Sequence, residues 1–206
     1  MYRHAIPDIE LRTALAERGL ECHLLVSDGD PRVFAVQLCA VLEGLLRDAY
    51  HKDLTQECLI YETWAVVIGP PSSDRPVACA TLSFSCGYPS FFGARFEAVD
   101  PQLQRQGLGR LLFDCLVVWC RFLVFNDVLA KEGVVASGGN YCLVSYIDAP
   151  EQDEWESARD NPQGHGAFLR KLGFAPAQHD FGQTEDEIAF QRAFQVTVQN
   201  LENEEE

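Results

Sequence analysis

The apolar positions near the start of the chain follow helical spacing. From residue 32 to about residue 50, apolar side chains recur every three or four positions, which predicts an amphipathic helix. Pro31 suits the first position of that helix, where its missing N–H costs little. Asp8 can cap a shorter helix that Gly19 ends. We therefore expect residues 1–21 to form a helical extension ahead of the main domain.

Runs of β-branched and apolar residues predict the strands. They are bounded by clusters of glycine, proline, serine and aspartate, which is typical of turns. The segment at residues 69–76 separates two such runs and predicts a hairpin with an exposed loop. The predicted strands lie at residues 21–26, 58–68, 77–85, 91–99, 141–147, 174–181 and 187–198.

The middle of the chain predicts a crossover between parallel strands. A long helix from residue 107 to about residue 129 follows the strand at 91–99 and precedes the strand at 141–147. A helix between two strands can carry the chain to a parallel neighbour in the same sheet. The apolar run at 111–125 suits a helix packed on that sheet. We therefore expect an α/β (α+β) fold with a mixed sheet flanked by helices.

The turn that joins the strand at 91–99 to the long helix predicts an anion site. The first N–H groups of a helix have no partner within the helix, and its dipole favours negative charge there. Gly107 and Gly109 carry no Cβ, so a diphosphate could approach the backbone closely. Leu112 stands where a dinucleotide fingerprint needs its third glycine, and the Gly-Lys-Ser/Thr of a P-loop is absent from the chain.

Two motifs resemble those of one enzyme family. Val99-Asp-Pro leads into Gln104-Arg-Gln-Gly-Leu-Gly109, which has the form Gln/Arg-x-x-Gly-x-Gly/Ala. Ala167-Phe-Leu-Arg-Lys-Leu-Gly-Phe174 is similar to the segment that closes the same fold. Both resemble motifs of the GCN5-related N-acetyltransferases, the GNAT family, in the family's order. The resemblance covers about residues 22–195.

The resemblance implies a fold, a co-substrate and a reaction. The central sheet would be mostly antiparallel and would splay apart after the strand bearing Val99, where the pantetheine arm of acetyl-coenzyme A pairs with backbone groups. The reaction would transfer an acetyl group to a primary amine directly, in a ternary complex. The implied cofactor-binding residues are Val99, Gln104, Arg105, Gln106, Gly107, Leu108, Gly109, Arg110 and Lys171.

Acyl transfer to an amine needs a neutral nucleophile, a polarised carbonyl and a proton for the leaving thiolate. Glu97, two residues before Val99, is the first candidate for the base, and His165 is the second. Asp148 is a third. Each has a plainer alternative: Glu97 could point to solvent or pair with Arg95, and His165 could be an exposed residue at a helix end.

One position departs from the family pattern. Leu169 stands where many relatives place a tyrosine, the proposed acid for the thiolate, and leucine cannot donate a proton. Water, Tyr141 or Tyr146 could supply the proton instead. The alternative is a weakly active or inactive acyl-coenzyme A-binding module with a regulatory role on the same fold.

The net charge of the chain limits the kinds of molecule that we expect it to bind. The chain has 31 acidic and 16 basic residues and a net charge of −15, which disfavours nucleic acid, because that binding depends on Lys and Arg at phosphates. It favours a cationic amine, either a small molecule or a protein amine. The main domain is expected at residues 22–198, and residues 199–206 form an acidic tail.

The cysteines and the hydropathy of the chain indicate the cellular compartment in which we expect the protein. The eight cysteines lie singly in apolar stretches without zinc spacing, so we expect buried free thiols and no metal. The run at 111–125 is shorter than the roughly 20 residues that span a bilayer, and no signal-peptide core is seen at the N-terminus. We expect a cytoplasmic protein without a membrane partner, monomeric or homodimeric.

Overall fold

A computed structural model describes residues 1–50, 59–60, 62–71, 73–85, 90–128, 139–148, 164–178, 180–181, 183 and 187–196. The acidic tail at 199–206 lies outside these residues. Asn161-Pro162, where a capping residue and a first-turn proline predict the start of a helix, also lies outside them, as do the acidic residues between 149 and 160.

The described strands form one eight-stranded sheet in the order β1-β2-β3-β4-β5-β6-β8-β7. All neighbouring strands are antiparallel except β5 and β6, which are parallel. The predicted mixed and mostly antiparallel sheet is therefore confirmed. The strands are β1 (Tyr2–Ala5), β2 (Glu21–Val26), β3 (Trp64–Gly69), β4 (Ala78–Ser85), β5 (Phe91–Val99), β6 (Gly139–Asp148), β7 (Ala175–Pro176) and β8 (Glu187–Val196).

Helices cover both faces of the sheet. They are α1 (Ile9–Ala16), α2 (Pro31–Tyr50), α3 (Leu108–Leu123) and α4 (His165–Lys171). A 3₁₀ turn at Pro101–Leu103 precedes α3, and a wider helical turn at Val124–Val128 follows it. The Asp8 side chain accepts a hydrogen bond from the Leu11 N–H and so caps α1, as predicted.

The two largest cores lie on opposite faces of the sheet, and a smaller third one packs on β6 and β8. One core lies on the side of the sheet that we call the α3 face, where α1, α3 and α4 pack against residues such as Leu24, Val66 and Phe92. The other, the α2 face, packs α2 against Leu25 and Val67. Successive strand residues enter different cores because side chains alternate across a strand. The helix α3 is buried on most sides, which explains its long apolar run.

A β-bulge in β5 decides which residues face which core. Cys79 pairs with Ala98 and Thr81 pairs with Arg95, so Ala80 lies opposite two residues, Phe96 and Glu97. Phe96 has a φ of +49°, which is rare for an aromatic residue. The extra residue places Arg95 on the α2 face and Glu97 on the α3 face, although they are only two residues apart.

Several elements differ from the sequence expectation. The strand β1 was not predicted; all four of its side chains are exposed, so it carries no apolar alternation. The strand β3 begins at Trp64 instead of residue 58. Of the predicted strand at 174–181, the described residues form a strand only at Ala175 and Pro176, and the Ala177 N–H adds one hydrogen bond of 2.9 Å to the Ala189 carbonyl of β8.

Candidate active site

The two parallel strands, β5 and β6, stop pairing at one point and separate. The strands β5 and β6 pair from Phe91 and Cys142 to Ala94 and Ser145. Beyond these residues β5 continues to Val99 and β6 to Asp148 without pairing with each other. The sheet therefore has a gap after Ala94 and Ser145, and we call it the β5–β6 gap. It lies where the resemblance implied that the sheet would splay.

The main chain of Val99 faces this gap. The N–H of Asp100 donates to the Val77 carbonyl at 2.8 Å, on the β4 side. Main-chain groups of successive strand residues point to opposite sides, so those of Val99 point away from β4 and toward β6. The Val99 side chain packs against the α3-face core. The carbonyl of Val99 also accepts a long hydrogen bond of 3.4 Å from Gln104 Nε2.

The predicted turn precedes α3 directly. Arg105 and Gly107 both have left-handed backbone, with φ values of +62° and +83°. Because Gly107 is left-handed, it lies outside the helix, which begins at Leu108 rather than at residue 107. The first helical hydrogen bond runs from the Leu111 N–H to the Gly107 carbonyl at 3.2 Å. In the described part of the chain, the N–H groups of residues 107–110 have no acceptor.

Arg18 lies against this turn and was missed by the sequence analysis. Its Nη1 donates to the Gln106 carbonyl at 2.8 Å. Its Nη2 would be 3.7 Å from a Cβ built at Gly107. A cation thus lies beside the open N–H groups. Its only sequence signal was a basic residue at the end of the first predicted helix, far from the turn along the chain.

The other predicted cations are less closely placed. Arg110 is exposed and lies 3.8 Å from Asp114, a helical i,i+4 pair. Lys171 lies in the last turn of α4 and is exposed. Within the described residues, no hydrogen bond or ion pair joins Lys171 to the turn at residues 104–107. Gln106 Nε2 donates to the Gln102 carbonyl at 3.2 Å and so belongs to the turn itself.

Gly109 is required for helix packing. A Cβ built there would lie 3.2 Å from Cζ of Phe168 on α4, closer than ordinary contact. Phe168 also packs edge-on against Phe113 of α3. The space that the sequence analysis reserved for a diphosphate at Gly109 is therefore taken by an aromatic ring. The N–H of Gly109 is still one of the N–H groups at residues 107–110 that have no acceptor among the described residues.

The two main candidates for the base lie side by side. Oε2 of Glu97 accepts a hydrogen bond of 2.9 Å from the Ser145 hydroxyl. The same oxygen lies 3.4 Å from Nε2 of His165, the first residue of α4. The Glu97 side chain is only 6% exposed and that of His165 is 37% exposed, so the pair runs from the interior to the surface.

Burial controls the charge of Glu97. It raises the pKa of Glu97 to about 8, while the hydrogen bond from Ser145 opposes this rise. A carboxyl with a pKa near neutrality can both accept and release a proton. Ser145 was not singled out from the sequence. Its only signal there is a small polar residue between apolar and aromatic residues of β6.

The alternative partner of Glu97 is engaged elsewhere. Arg95 forms two hydrogen bonds to the Glu187 carboxylate, of 2.6 and 3.1 Å, on the α2 face. A pairing of Arg95 with Glu97 assumed regular alternation, and the bulge at Phe96 removes it. Asp148 is the last residue of β6, and its side chain lies outside the described residues.

The candidate proton donors for a thiolate differ in acidity and in distance from the β5–β6 gap. Leu169 is fully buried. Tyr146 adjoins the β5–β6 gap, and its hydroxyl donates to the Phe181 carbonyl at 2.9 Å. Burial raises the pKa of Tyr146 to about 12. Tyr141 stacks on Phe194, before the paired part of β6 begins.

The described residues contain neither a metal-ligand cluster nor a membrane-spanning helix. No group of three or more His, Cys, Asp or Glu side chains could hold a metal ion there. No helix among them is long and apolar enough to cross a membrane. The described cysteines are free, and all but Cys39 are buried.

Comparisons with known proteins gave only distant likenesses. No protein-family model matches the chain, and no curated protein does. Among solved structures, the ribosomal-protein-S18-alanine N-acetyltransferase from Escherichia coli is 17% identical, with 88% of this chain and 97% of that chain covered and a TM-score of 0.45. An acyl-CoA N-acyltransferase from Pseudomonas aeruginosa is 10% identical, with coverage of 84% and 99% and a TM-score of 0.47.

A third solved structure, the IAA acetyltransferase from Bacillus cereus ATCC 14579, is 14% identical, with 85% of this chain and 99% of that chain covered and a TM-score of 0.43. With TM-scores below 0.5, these likenesses carry no conclusion about activity, acceptor or site residues. The strand order, the β5–β6 gap and the glycine turn are properties of this chain itself. By these features the chain has the mixed α/β fold that its resemblance to the GNAT acyltransferases predicts.

Proposed function

We propose that the protein is an N-acetyltransferase that moves an acetyl group from acetyl-coenzyme A to a primary amine by direct transfer. The observation that carries this proposal is the position of the β5–β6 gap. At one end β5 leads into the turn with open N–H groups at residues 107–110. At the parting point lies Ser145, bonded to the candidate base Glu97.

The turn suits a diphosphate for two physical reasons. Open N–H groups at the start of a 16-residue helix favour an anion through hydrogen bonds and through the helix dipole. Arg18 adds a full positive charge at the same turn. The Val99 main chain, which faces the gap, could pair with the amide groups of a pantetheine arm. Acetyl-coenzyme A would supply an acyl group that is already activated as a thioester.

The Glu97–His165 pair would manage the proton of the amine. A primary amine is mostly protonated at neutral pH and cannot attack a carbonyl until it loses a proton. The half-exposed His165 ring can take that proton, and Glu97 beside it can stabilise the imidazolium or share the proton. The nitrogen then forms its bond to the carbonyl carbon as the bond from carbon to sulfur breaks.

The same pair can return a proton to the sulfur. An ordinary thiol has a pKa of about 8.5. Tyr146, with a pKa raised to about 12, is a much weaker acid than that thiol. Proton transfer from Tyr146 to a thiolate would therefore be uphill, whereas a protonated Glu97, with a pKa of about 8, matches the thiol closely. The buried Leu169 then needs no replacement as a proton donor.

The second candidate is an acyl-coenzyme A-binding regulatory module. Leu169 favours it, because this fully buried side chain offers no proton where relatives of the family often have a tyrosine. Both candidates predict binding of coenzyme A, and only the first predicts turnover.

Two measurements separate the possibilities. Coenzyme A at about one hundred times its dissociation constant should stabilise the fold by roughly 2.7 kcal/mol, which would appear as a higher melting temperature. Thiol release from acetyl-coenzyme A should then be measured with diamines, lysine peptides and arylamines. Binding without turnover on any amine would favour the regulatory module, and no stabilisation by coenzyme A would contradict both candidates.

A further inference from the structure

A polar cluster on the α2 face adjoins the β5–β6 gap. Arg95 and Tyr146 are the first residues beyond the last paired positions of β5 and β6. Cζ of Arg95 lies 4.3 Å from the centre of the Tyr146 ring. Glu187 of β8 holds the same guanidinium through two hydrogen bonds. The cluster therefore spans the gap on the side opposite Glu97 and His165.

Glu62 brings a second carboxyl to this cluster. It lies two residues before β3 and is 5% exposed. Thr81, whose hydroxyl donates to the Arg95 carbonyl at 3.0 Å, is a hydrogen-bond neighbour of Glu62, and the Arg95 charge lowers the pKa of Glu62. Within the described residues, the buried Oε2 of Glu62 has no hydrogen-bond partner.

The charges around Glu62 are unbalanced. Among the described residues, the groups that act on it are Thr81 on β4, Arg95 on β5 and Tyr146 on β6, and Glu187 on β8 lies next to Arg95 and Tyr146. Arg95 supplies one positive charge, and Glu187 already matches it in a two-point ion pair. A buried carboxylate oxygen without a donor is costly unless a cation or hydrogen-bond donor reaches it. Burial raises the pKa of Glu62 to about 7, and the Thr81 hydroxyl and the Arg95 charge oppose this rise.

We propose that Glu62 binds a second cationic group of the acceptor. The inference rests on the proposed acetyltransferase function and narrows its substrate class to diamines and to amines that carry another positive charge. The acceptor would reach the β5–β6 gap from the α2 face, with its reacting nitrogen at the gap and its second cation at Glu62. Arg95, whose side chain is 31% exposed, connects the cluster to solvent.

The strand spacing sets the length of such an acceptor. Glu62 contacts Thr81 on β4, and the gap lies on the far side of β5. With neighbouring strands about 4.8 Å apart, the two ends of the acceptor would be separated by roughly 7–10 Å. A diamine with five or six carbons between its nitrogens has this length.

The test compares acceptors that differ only at the far end. The purified full chain is assayed with 1,5-diaminopentane and with 5-amino-1-pentanol, which has the same length but one positive charge. We expect kcat/KM to favour the diamine about 10- to 100-fold, as for a hydrogen bond to a charged group. In Glu62→Gln that preference should fall to within about twofold, with the dissociation constant for coenzyme A unchanged.

Two further variants keep the test decisive. Glu43→Gln, at an exposed position on α2 that pairs with Arg47, should retain the full preference for the diamine. Glu62→Asp keeps the charge but withdraws it, so it should show an intermediate preference, and it serves if Glu62→Gln does not fold. Calorimetric titration of 1,5-diaminopentane into the protein saturated with coenzyme A gives a readout that does not depend on turnover.

The outcomes separate this inference from the proposed function. If coenzyme A binds but the wild-type protein does not prefer the diamine, the inference is wrong and the acetyltransferase proposal is untouched. The inference is equally overturned if Glu62→Gln keeps the preference. Absence of coenzyme A binding by the wild-type protein would overturn the proposed function itself.

Discussion

Nε2 of His165 lies 3.4 Å from Oε2 of Glu97, although the two residues belong to a helix and a strand that are distant along the chain. If this pair moves the proton of the amine, Glu97→Gln and His165→Ala should each lower kcat about 10²- to 10⁴-fold, the usual range for a general acid or base. Single-turnover acetylation with saturating acetyl-coenzyme A measures this. The dissociation constant for coenzyme A should stay within about twofold. Activity within a few-fold of wild type in both variants would exclude the pair.

Ser145 should set the pH at which the pair becomes active. Its hydroxyl favours the charged form of Glu97 and so lowers the pKa of a carboxyl that burial has raised to about 8. Ser145→Ala removes this hydrogen bond, so the pKa of Glu97 should rise and the rising limb of the pH–rate profile should move to higher pH. Ser83→Ala, on β4, is the matched control. A shift to lower pH would contradict this account.

The motifs and some of the element boundaries of this protein were readable from the sequence because they depend on local chemistry. The strand Phe91–Val99 and the start of α2 at Pro31 were predicted to the residue. Two glycines that flank Leu108 were enough to predict the turn before α3. Glu97 and His165 were both named as candidates for the base.

The pairings within the site were not readable, because they depend on contacts between distant segments and on one irregular strand residue. No sequence pattern indicates that Phe96 forms a bulge in β5. If Phe96 were a regularly paired strand residue, Arg95 and Glu97 would share a face. Arg18 reaches the turn at Gln106 only through the packing of α1 on α3.

Substitution of either glycine of the turn by alanine should lower the stability of the fold, for a different reason in each case. Gly109→Ala places a methyl group 3.2 Å from the Phe168 ring, and overpacking of this kind costs about 1–3 kcal/mol. Gly107→Ala meets no close atom but forces a left-handed backbone on alanine, at about 1–2 kcal/mol. Urea denaturation of each variant measures the loss. The double variant Gly109→Ala with Phe168→Leu should recover part of the loss at Gly109, and Gly107→Ala with Phe168→Leu should not.

Arg18 should contribute to binding of the diphosphate. Arg18→Ala removes a cation from the turn and should weaken binding of coenzyme A by roughly three- to tenfold. The difference should shrink at high salt, because the residue is exposed. Isothermal titration with coenzyme A and with pantetheine, which has no phosphate, gives the comparison, and Arg47→Ala on α2 is the control variant. Equal weakening for pantetheine would show that Arg18 only supports the fold of the turn.

Glu62 should make the protein less stable as the pH rises. Its pKa is raised from 4.5 to about 7 in the folded state, so the folded chain binds more protons than the unfolded chain between these values. The stability that this group contributes is present below about pH 4.5 and is lost as the pH rises through about 7.

Glu62→Gln removes this loss. The variant should gain at most about 3 kcal/mol over wild type at pH 8, or roughly 5–10 °C in melting temperature. It should gain little at pH 4.5. Thermal melts across this pH range test the prediction, and Glu43→Gln on the exposed side of α2 should show no such trend. A gain that is equal at both pH values would rule out the buried carboxyl as its source.

The bulge at Phe96 shifts the alternation of side chains along β5 by one residue. The side chains before it and after it follow different alternations, so the strand places the ion pair of Arg95 on one side of the sheet and the buried Glu97 carboxyl on the other. Deleting that single position would leave the charge intact and give β5 one continuous alternation, with Arg95 still beside Glu187 and Glu97 still beside Ser145. The shortened protein should therefore keep both contacts, whereas a β5 that paired regularly through Phe96 would lose one of them.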